Sequence, residues 1–259
     1  MICSAVATSP YQRWHDHFSK NRESSARHPW DDCHRLTDAE RRAVSRSIQQ
    51  FQLGEWARGR GLIRRARAHP VFAGDSSFIP ALELFIDEEQ IHSGLLGRFM
   101  EREHIPKLSD HWLDGIFRRL RKLAGLEACV TVLVTAEVLA LPYYQALRDA
   151  TGSALLRSIC IRILCDEVAH LRYQALTIGL IRRALSRRSI AIHEQCHSML
   201  FRCTSLLLWQ QHRKVFRAAG WNFSRFWNDA ERTFAHLECR VRQTMLGREA
   251  ALLEDRRLD

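Results

Sequence analysis

Two pentapeptides restrict what this chain can fold into more than any other feature: Glu88-Glu89-Gln90-Ile91-His92 and Asp166-Glu167-Val168-Ala169-His170. In each, a Glu is followed three residues later by a His. On a helix, residues i and i+3 share a face one turn apart, so both side chains of a pair can reach one ion. The surrounding pattern is helical. Phe78, Leu82, Phe85, Glu89, His92, Leu96 and Phe99 alternate steps of three and four without a break, and Leu156, Cys160, Ile163, Glu167, His170 and Gln174 share a second such face. Glu89, His92, Glu167 and His170 therefore occupy positions that belong to a core.

A lone Glu on an apolar helix face usually sits at its edge, and a lone His there is usually a satisfied core residue. Here each pair is preceded by one more Glu on an apolar face: Glu55 lies 34 residues before Glu89, and Glu137 lies 30 residues before Glu167. A helical hairpin of the form Glu, then Glu-x-x-His, thus occurs twice, as an internal repeat. Four buried carboxylates without partners would repel, and their desolvation costs several kcal/mol each. Two divalent cations would neutralise them. The pattern therefore predicts a two-metal site held by Glu55, Glu89, His92, Glu137, Glu167 and His170. Carboxylate and imidazole donors with open positions suit iron or manganese better than zinc, which favours thiolate and imidazole in tetrahedral sites. Glu88 and Asp166 directly precede the two pairs and are placed to accept the remaining ring N–H of a ligand His; the alternative for both is a surface charge.

The rest of the chain reads as helices, with no strand-like alternation longer than four residues. Residues 1–36 are polar, contain Pro10 and Pro29, and form an expected arm on the core with at most one short helix. Thr37 and Glu40 make a capping box for a helix running to His69 before Pro70, with Val44, Ile48, Phe51, Leu62 and Glu55 on one face. Further helices are expected over 78–103, 123–150, 154–185, 190–219 and 223–246, with a short amphipathic segment at 112–120. Pro142 should kink the third main helix or open its hydrogen bonding. The fold class is all-α: a four-helix bundle over 37–185, two additional helices of the same domain over 189–248, and a polar tail over 249–259.

At +10 the formal charge admits acidic partners. The basic residues, however, are spread along helix faces (Arg64, Arg65, Arg67; Arg118, Arg119, Arg121; Arg182, Arg183, Arg187, Arg188) with no aromatic nucleic-acid motif, and read as solvated surface. The eight cysteines form no Cys-x-x-Cys pair, which fits a reduced, cytoplasmic protein. The N-terminus makes a poor signal peptide, and no uninterrupted apolar stretch nears the roughly 20 residues a membrane crossing needs.

On these residues the chain resembles the ferritin-like di-iron carboxylate superfamily, which includes bacterioferritins, rubrerythrins, acyl-carrier-protein desaturases, bacterial multicomponent monooxygenases and arylamine N-oxygenases. The resemblance covers about residues 40–185. It implies a ferritin-like bundle in which the positions of Glu55, Glu89, His92, Glu137, Glu167 and His170 bind two irons, or a manganese–iron pair, with Glu89 and Glu167 bridging. The doublets Glu-Glu-x-x-His and Asp-Glu-x-x-His are similar to those of the desaturases. The chain departs from the arylamine N-oxygenases, which have an extra His where Ile163 stands. It departs too from the many hydroxylases and desaturases with a Thr where Ala140 and Leu141 stand.

The expected activity is that of an oxygenase or oxidase. It would use dioxygen and an external electron donor to oxidise a small or carrier-bound organic substrate, by hydroxylation, N-oxidation, desaturation or carbon–carbon cleavage. Phe51, Trp56, Phe85, Leu141, Tyr143 and Tyr144 are candidate lining residues, although each taken singly reads more readily as plain core. The alternatives are a ferroxidase or peroxidase-type di-iron protein, and a non-enzymatic nucleic-acid or scaffold protein. A homodimer is compatible with the pattern. One rival motif, His193-Glu194-Gln195-Cys196-His197, matches the His-Glu-x-x-His string of zinc proteases. No Asp or Glu follows Glu194 before Asp229, so the third ligand of that class is missing.

Overall fold

The structure is a computed structural model and describes residues 9–23, 27–55, 59–108 and 125–248. Trp56, the expected segment at 112–120 and the tail 249–259 lie outside the described residues. Among those described, the fold is all-α, with no strand. The main helices are α1 (Pro10–Glu23), α2 (Asp38–Glu55), α3 (Arg60–Arg67), α4 (Phe78–Arg102), α5 (Leu126–Asp149), α6 (Ala154–Arg183), α7 (Arg187–Ala218) and α8 (Phe223–Met245).

Polar side chains set several helix starts. Thr37 and Glu40 form the expected capping box: the Glu40 amide donates to Thr37 Oγ1 at 3.3 Å, and the Thr37 amide donates to Glu40 Oε2 at 2.8 Å. Ser153, Ser186 and Asn222 accept from the first-turn amides of α6, α7 and α8. The expected single helix over 37–69 is corrected: α2 ends at Glu55, and α3 begins after Gly59. Gly59 has φ +58°, and a Cβ there would meet Ile86 Cδ1 at 2.3 Å. The left-handed backbone and the close approach of α4 both require glycine. α5 continues through Pro142 to Asp149.

α2 packs along α4 and α5 along α6, so both expected hairpins form, and α4 meets α6. The arm is more than a polar extension. α1 lies on α4 and buries Tyr11, Trp14 and Phe18. Along α7, contacts run to α5 and α2; along α8, to α6 and α5. Gly179 permits the α6–α8 contact, since a Cβ there would sit 2.5 Å from Thr244 Cβ and 2.9 Å from the Val241 carbonyl oxygen. The expectation about membrane-length segments is amended by α5. An 18-residue window of it has mean hydropathy 1.6, long and apolar enough to span by composition, but 78% of that window is buried inside the protein.

The outer helices are joined to the inner ones by a buried ion network. Arg182 on α6, expected on a solvated face, is instead fully buried; its Nε lies 2.9 Å from Glu127 Oε1 on α5, and its Nη1 lies 3.6 Å from Glu238 Oε2 on α8. Glu238 also meets Nδ1 of the fully buried His197 on α7 at 2.8 Å. Burial pushes Glu238 up, but His197 and Arg182 outweigh it and hold the carboxyl below its usual range. Replacing Arg182 with Met leaves the buried Glu127 and the half-buried Glu238 short of their cation and should destabilise the protein by about 3–5 kcal/mol. Urea denaturation checks this, and adding Glu127→Gln and Glu238→Gln should recover most of the loss.

Two other carboxylates join the N-terminal region to the α5–α6 turn. Asp32 accepts from the Leu155 amide, the His34 amide and Ser153 Oγ, each at 3.0 Å. The Leu155 amide is the main reason its carboxyl is held down at about 2. Burial pushes Glu40 up, but donation from the Gly152 amide at 2.6 Å and from Thr37 prevails, leaving it at about 2. Depressed folded values mean stability that is present above the ordinary values of 3.8 and 4.5 and is lost as pH falls toward about 2. The stability difference between the native chain and the Asp32→Asn, Glu40→Gln double variant should therefore be constant above about pH 5 and shrink between about pH 5 and pH 2. Denaturant midpoints measured across that range check it; a constant difference would refute the linkage.

Candidate metal centre

The side chains of the two repeats meet between α2, α4, α5 and α6. One donor atom from each of Glu55, Glu89, His92 and Glu167 lies within 4.8 Å of every other, and the same holds for Glu89, Glu137, Glu167 and His170. The two groups share Glu89 and Glu167. His92, Glu137, Glu167 and His170 are buried, whereas Glu55 and Glu89 are half-buried. Each group is a buried carboxylate–imidazole cluster that could hold a metal ion.

The polar atoms of the cluster fit that use. Glu89 Oε1, His92 Nδ1, Glu137 Oε2, Glu167 Oε2 and His170 Nδ1 are all buried without a hydrogen-bond partner. His170 Nδ1 and Glu89 Oε1 lie 2.9 Å apart, yet are not aligned for a hydrogen bond. Unpaired buried polar atoms are rare and costly. Five converging in one place could serve as the donor set of a cation.

The electrostatics agree. Burial first, and then neighbouring carboxylate charge, raises Glu55 and Glu137 well above the usual carboxyl range, and Glu167 above it too. Burial acts in the same direction on Glu89, but the imidazole of His170 prevails and lowers it. His170, which burial alone would lower, is raised well above its ordinary value by Glu167, Glu88 and Glu89. Without a cation the cluster relies on shared protons to limit its charge.

Glu88 and Asp166 each brace the histidine of the opposite helix. His92 Nε2 meets Asp166 Oδ2 at 2.9 Å, and His170 Nε2 meets Glu88 Oε2 at 2.9 Å. In the neutral ring, Nε2–H donating to a carboxylate leaves the Nδ1 lone pair facing the cluster, which is the tautomer a metal needs.

Some supporting residues were not identified from the sequence. Asn21 Nδ2, on α1, donates to both Glu88 Oε1 at 2.6 Å and Asp166 Oδ1 at 2.8 Å, so one amide links the two braces. Arg162 Nε donates to Asp166 Oδ2 at 2.7 Å, and Gln174 donates to Glu137 Oε1. Arg162 and Gln174 carried a signal, being one helical turn from Asp166 and His170 respectively. Asn21 carried none, because nothing in the sequence relates α1 to α4 and α6.

The candidate lining residues separate. Phe85 stands edge-on to His170, with ring centroids 4.7 Å apart, and borders an apolar cavity of about 10 Å³, space for about one water molecule. Tyr173, Gln174, Leu126 and Val130 border it too. Tyr144 instead donates its hydroxyl to Glu55 Oε1 at 2.9 Å, bracing a cluster carboxylate. Phe51 stacks on Tyr143, and Leu141 is a half-buried core residue; neither they nor Tyr143 borders that cavity.

The His-Glu-x-x-His string does not assemble a site. His193 faces Glu127 at 3.4 Å, His197 faces Glu238, and Glu194 pairs with Arg242 at 3.4 Å. The metal-capable groups found among the described residues do not include them. No protein-family model, curated protein or solved structure matches the chain.

Because Asn21 steadies both braces, Asn21→Ala should weaken Co(II) binding about 10- to 100-fold, with helix content unchanged. Calorimetric titration checks this, and unchanged affinity would refute the positioning role.

Proposed function

We propose that the chain is a di-iron, or manganese–iron, carboxylate oxidoreductase of the ferritin-like type that uses dioxygen. The observation that carries this reading is the sharing of Glu89 and Glu167 between the two metal-capable groups. Glu55, Glu89, His92, Glu137, Glu167 and His170 would hold two divalent ions, whose charge the four carboxylates would balance.

Bound iron would supply the electrons that reduce dioxygen. The protein's own residues prepare the site. Asp166 and Glu88 fix the imidazole tautomers. Tyr144 holds Glu55 by one oxygen, and Gln174 does the same for Glu137, so each terminal carboxylate keeps a second oxygen for the ion. Phe85 sets apolar surface against His170. An organic substrate, small or carrier-bound, would be oxidised there after displacing side chains that line the cavity.

The size of that cavity favours a second reading, a ferroxidase or peroxidase-type protein acting on iron or peroxide and needing no organic pocket. One experiment separates the two. Apoprotein titrated anaerobically with Fe(II) should bind two equivalents per chain, and admitting air should consume dioxygen. Under excess Fe(II), an oxygenase stops near two irons oxidised per chain, whereas a ferroxidase continues through many. Glu137→Ala and Glu167→Ala should each abolish binding of the second equivalent. No iron binding refutes both readings; iron binding without consumption of dioxygen refutes the oxygenase and the ferroxidase, and failure to consume added peroxide as well refutes the peroxidase.

A further inference from the structure

The two metal-capable groups match in donor types, but the braces behind their histidines differ by one charge. Asp166, behind His92, and Glu88, behind His170, both accept from the amide of Asn21. Asp166 Oδ2 also accepts from Arg162 Nε at 2.7 Å, so a guanidinium sits on the brace of His92. Among the described residues, Glu88 forms no ion pair with a Lys or an Arg. Arg22, near it in sequence space on α1, pairs instead with exposed Asp87 at 3.7 Å. Arg172, two residues beyond His170, makes no ion pair with Glu88, and its Nε and Nη2 are buried without a hydrogen-bond partner.

We infer that Arg162 makes the two halves unequal as metal sites, the Glu137–His170 group binding the tighter ion and the Glu55–His92 group the weaker. The inference rests on the reading that the cluster takes two divalent ions. A carboxylate that accepts the ring N–H of a ligand histidine makes the other ring nitrogen a better donor. Arg162 offsets part of the charge of Asp166, so His92 Nδ1 gains less from its brace than His170 Nδ1 gains from Glu88. The same guanidinium also repels a cation held by His92. Asp166 is only 4% exposed and Arg162 13%, so water screens that repulsion poorly. Both effects act in one direction. The groups that hold the two terminal glutamates do not offset them, because Tyr144 on Glu55 and Gln174 on Glu137 are both neutral. The halves therefore fill in order, the His170 group first.

Calorimetric titration of the full-length apoprotein with Co(II) alone should resolve two equivalents, bound in steps at least about tenfold apart. Glu137→Gln should weaken the tight step and Glu55→Gln the loose one, which assigns each step to its group. Arg162→Gln keeps an amide donor beside Asp166 but removes the charge. It should tighten the loose step about tenfold and change the tight step less than about twofold. Arg162→Lys keeps the charge and should keep the native separation. The sign of the change excludes a merely structural role. Arg162 Nη2 also donates to the Asn21 carbonyl at 3.5 Å, and loss of simple support for Asn21 would weaken both steps. Two steps of equal affinity, a loose step that Glu137→Gln alone weakens, or a loose step no tighter in Arg162→Gln overturns the inference and leaves the two-ion reading standing. Fewer than two equivalents of Co(II) in the native chain overturns both. The native separation and its assignment decide the matter even if the Arg162 variants lose helix content.

Discussion

Everything near the centre of this molecule follows from placing four carboxylates and two imidazoles in one apolar interior. Carboxylates at that density are tolerable only if protons or cations neutralise them and every orientation is fixed. The fold supplies the fixing through a cross-brace. Asp166 of α6 holds the histidine of α4, and Glu88 of α4 holds the histidine of α6. The two helices are thus locked in rotation relative to each other. A one-residue change of register would turn either helix by about 100° and carry its Glu and His off the shared face. The brace and the cluster depend on the same register, so each enforces the other.

That dependence explains why α1 matters despite its polar composition. Its Tyr11, Trp14 and Phe18 are buried, and Phe18 packs near Phe85 and His170. The same helix carries Asn21 to the two brace carboxylates. Apolar packing sets the position of the helix, and one amide uses that position. Loss of α1 would expose the histidine side of the cluster to water and remove the link between its halves.

The parts legible in the sequence were those with a local period. Glu89, His92, Glu167 and His170 could be placed because i, i+3 spacing and an apolar stripe are properties of one helix at a time. Glu55 and Glu137 followed from the repeat, and Glu88 and Asp166 from adjacency. What was missed depends on relations between helices. Tyr144 looked like a lining residue, because nothing local shows that its hydroxyl reaches Glu55. The break at Gly59 was missed because an apolar pattern continues across it to Leu62, while the left-handed backbone there and the approach of Ile86 are not visible locally. His193 and His197 had metal-like spacing, yet carboxylates on other helices take them separately.

The two halves of the repeat are alike in donor set but not in surroundings, and the difference bears on reactivity. Glu55 is held by the phenol of Tyr144, close to the Phe51 and Tyr143 rings. Glu137 is held by the amide of Gln174, and Gln174 borders the apolar cavity together with Phe85 and Tyr173. Phe85 also lies against His170, so the Glu137–His170 group adjoins removable apolar volume. A molecule that enters by displacing side chains does so most cheaply where a void already exists, since part of the packing energy there is already forfeited. Ion pairs and hydrogen bonds, by contrast, resist displacement around Glu88, Asp166 and Asn21. Repetition therefore supplies two similar donor groups, and the asymmetry of the packing leaves apolar volume beside Phe85 and Gln174, on the Glu137–His170 side alone of the two groups' described surroundings.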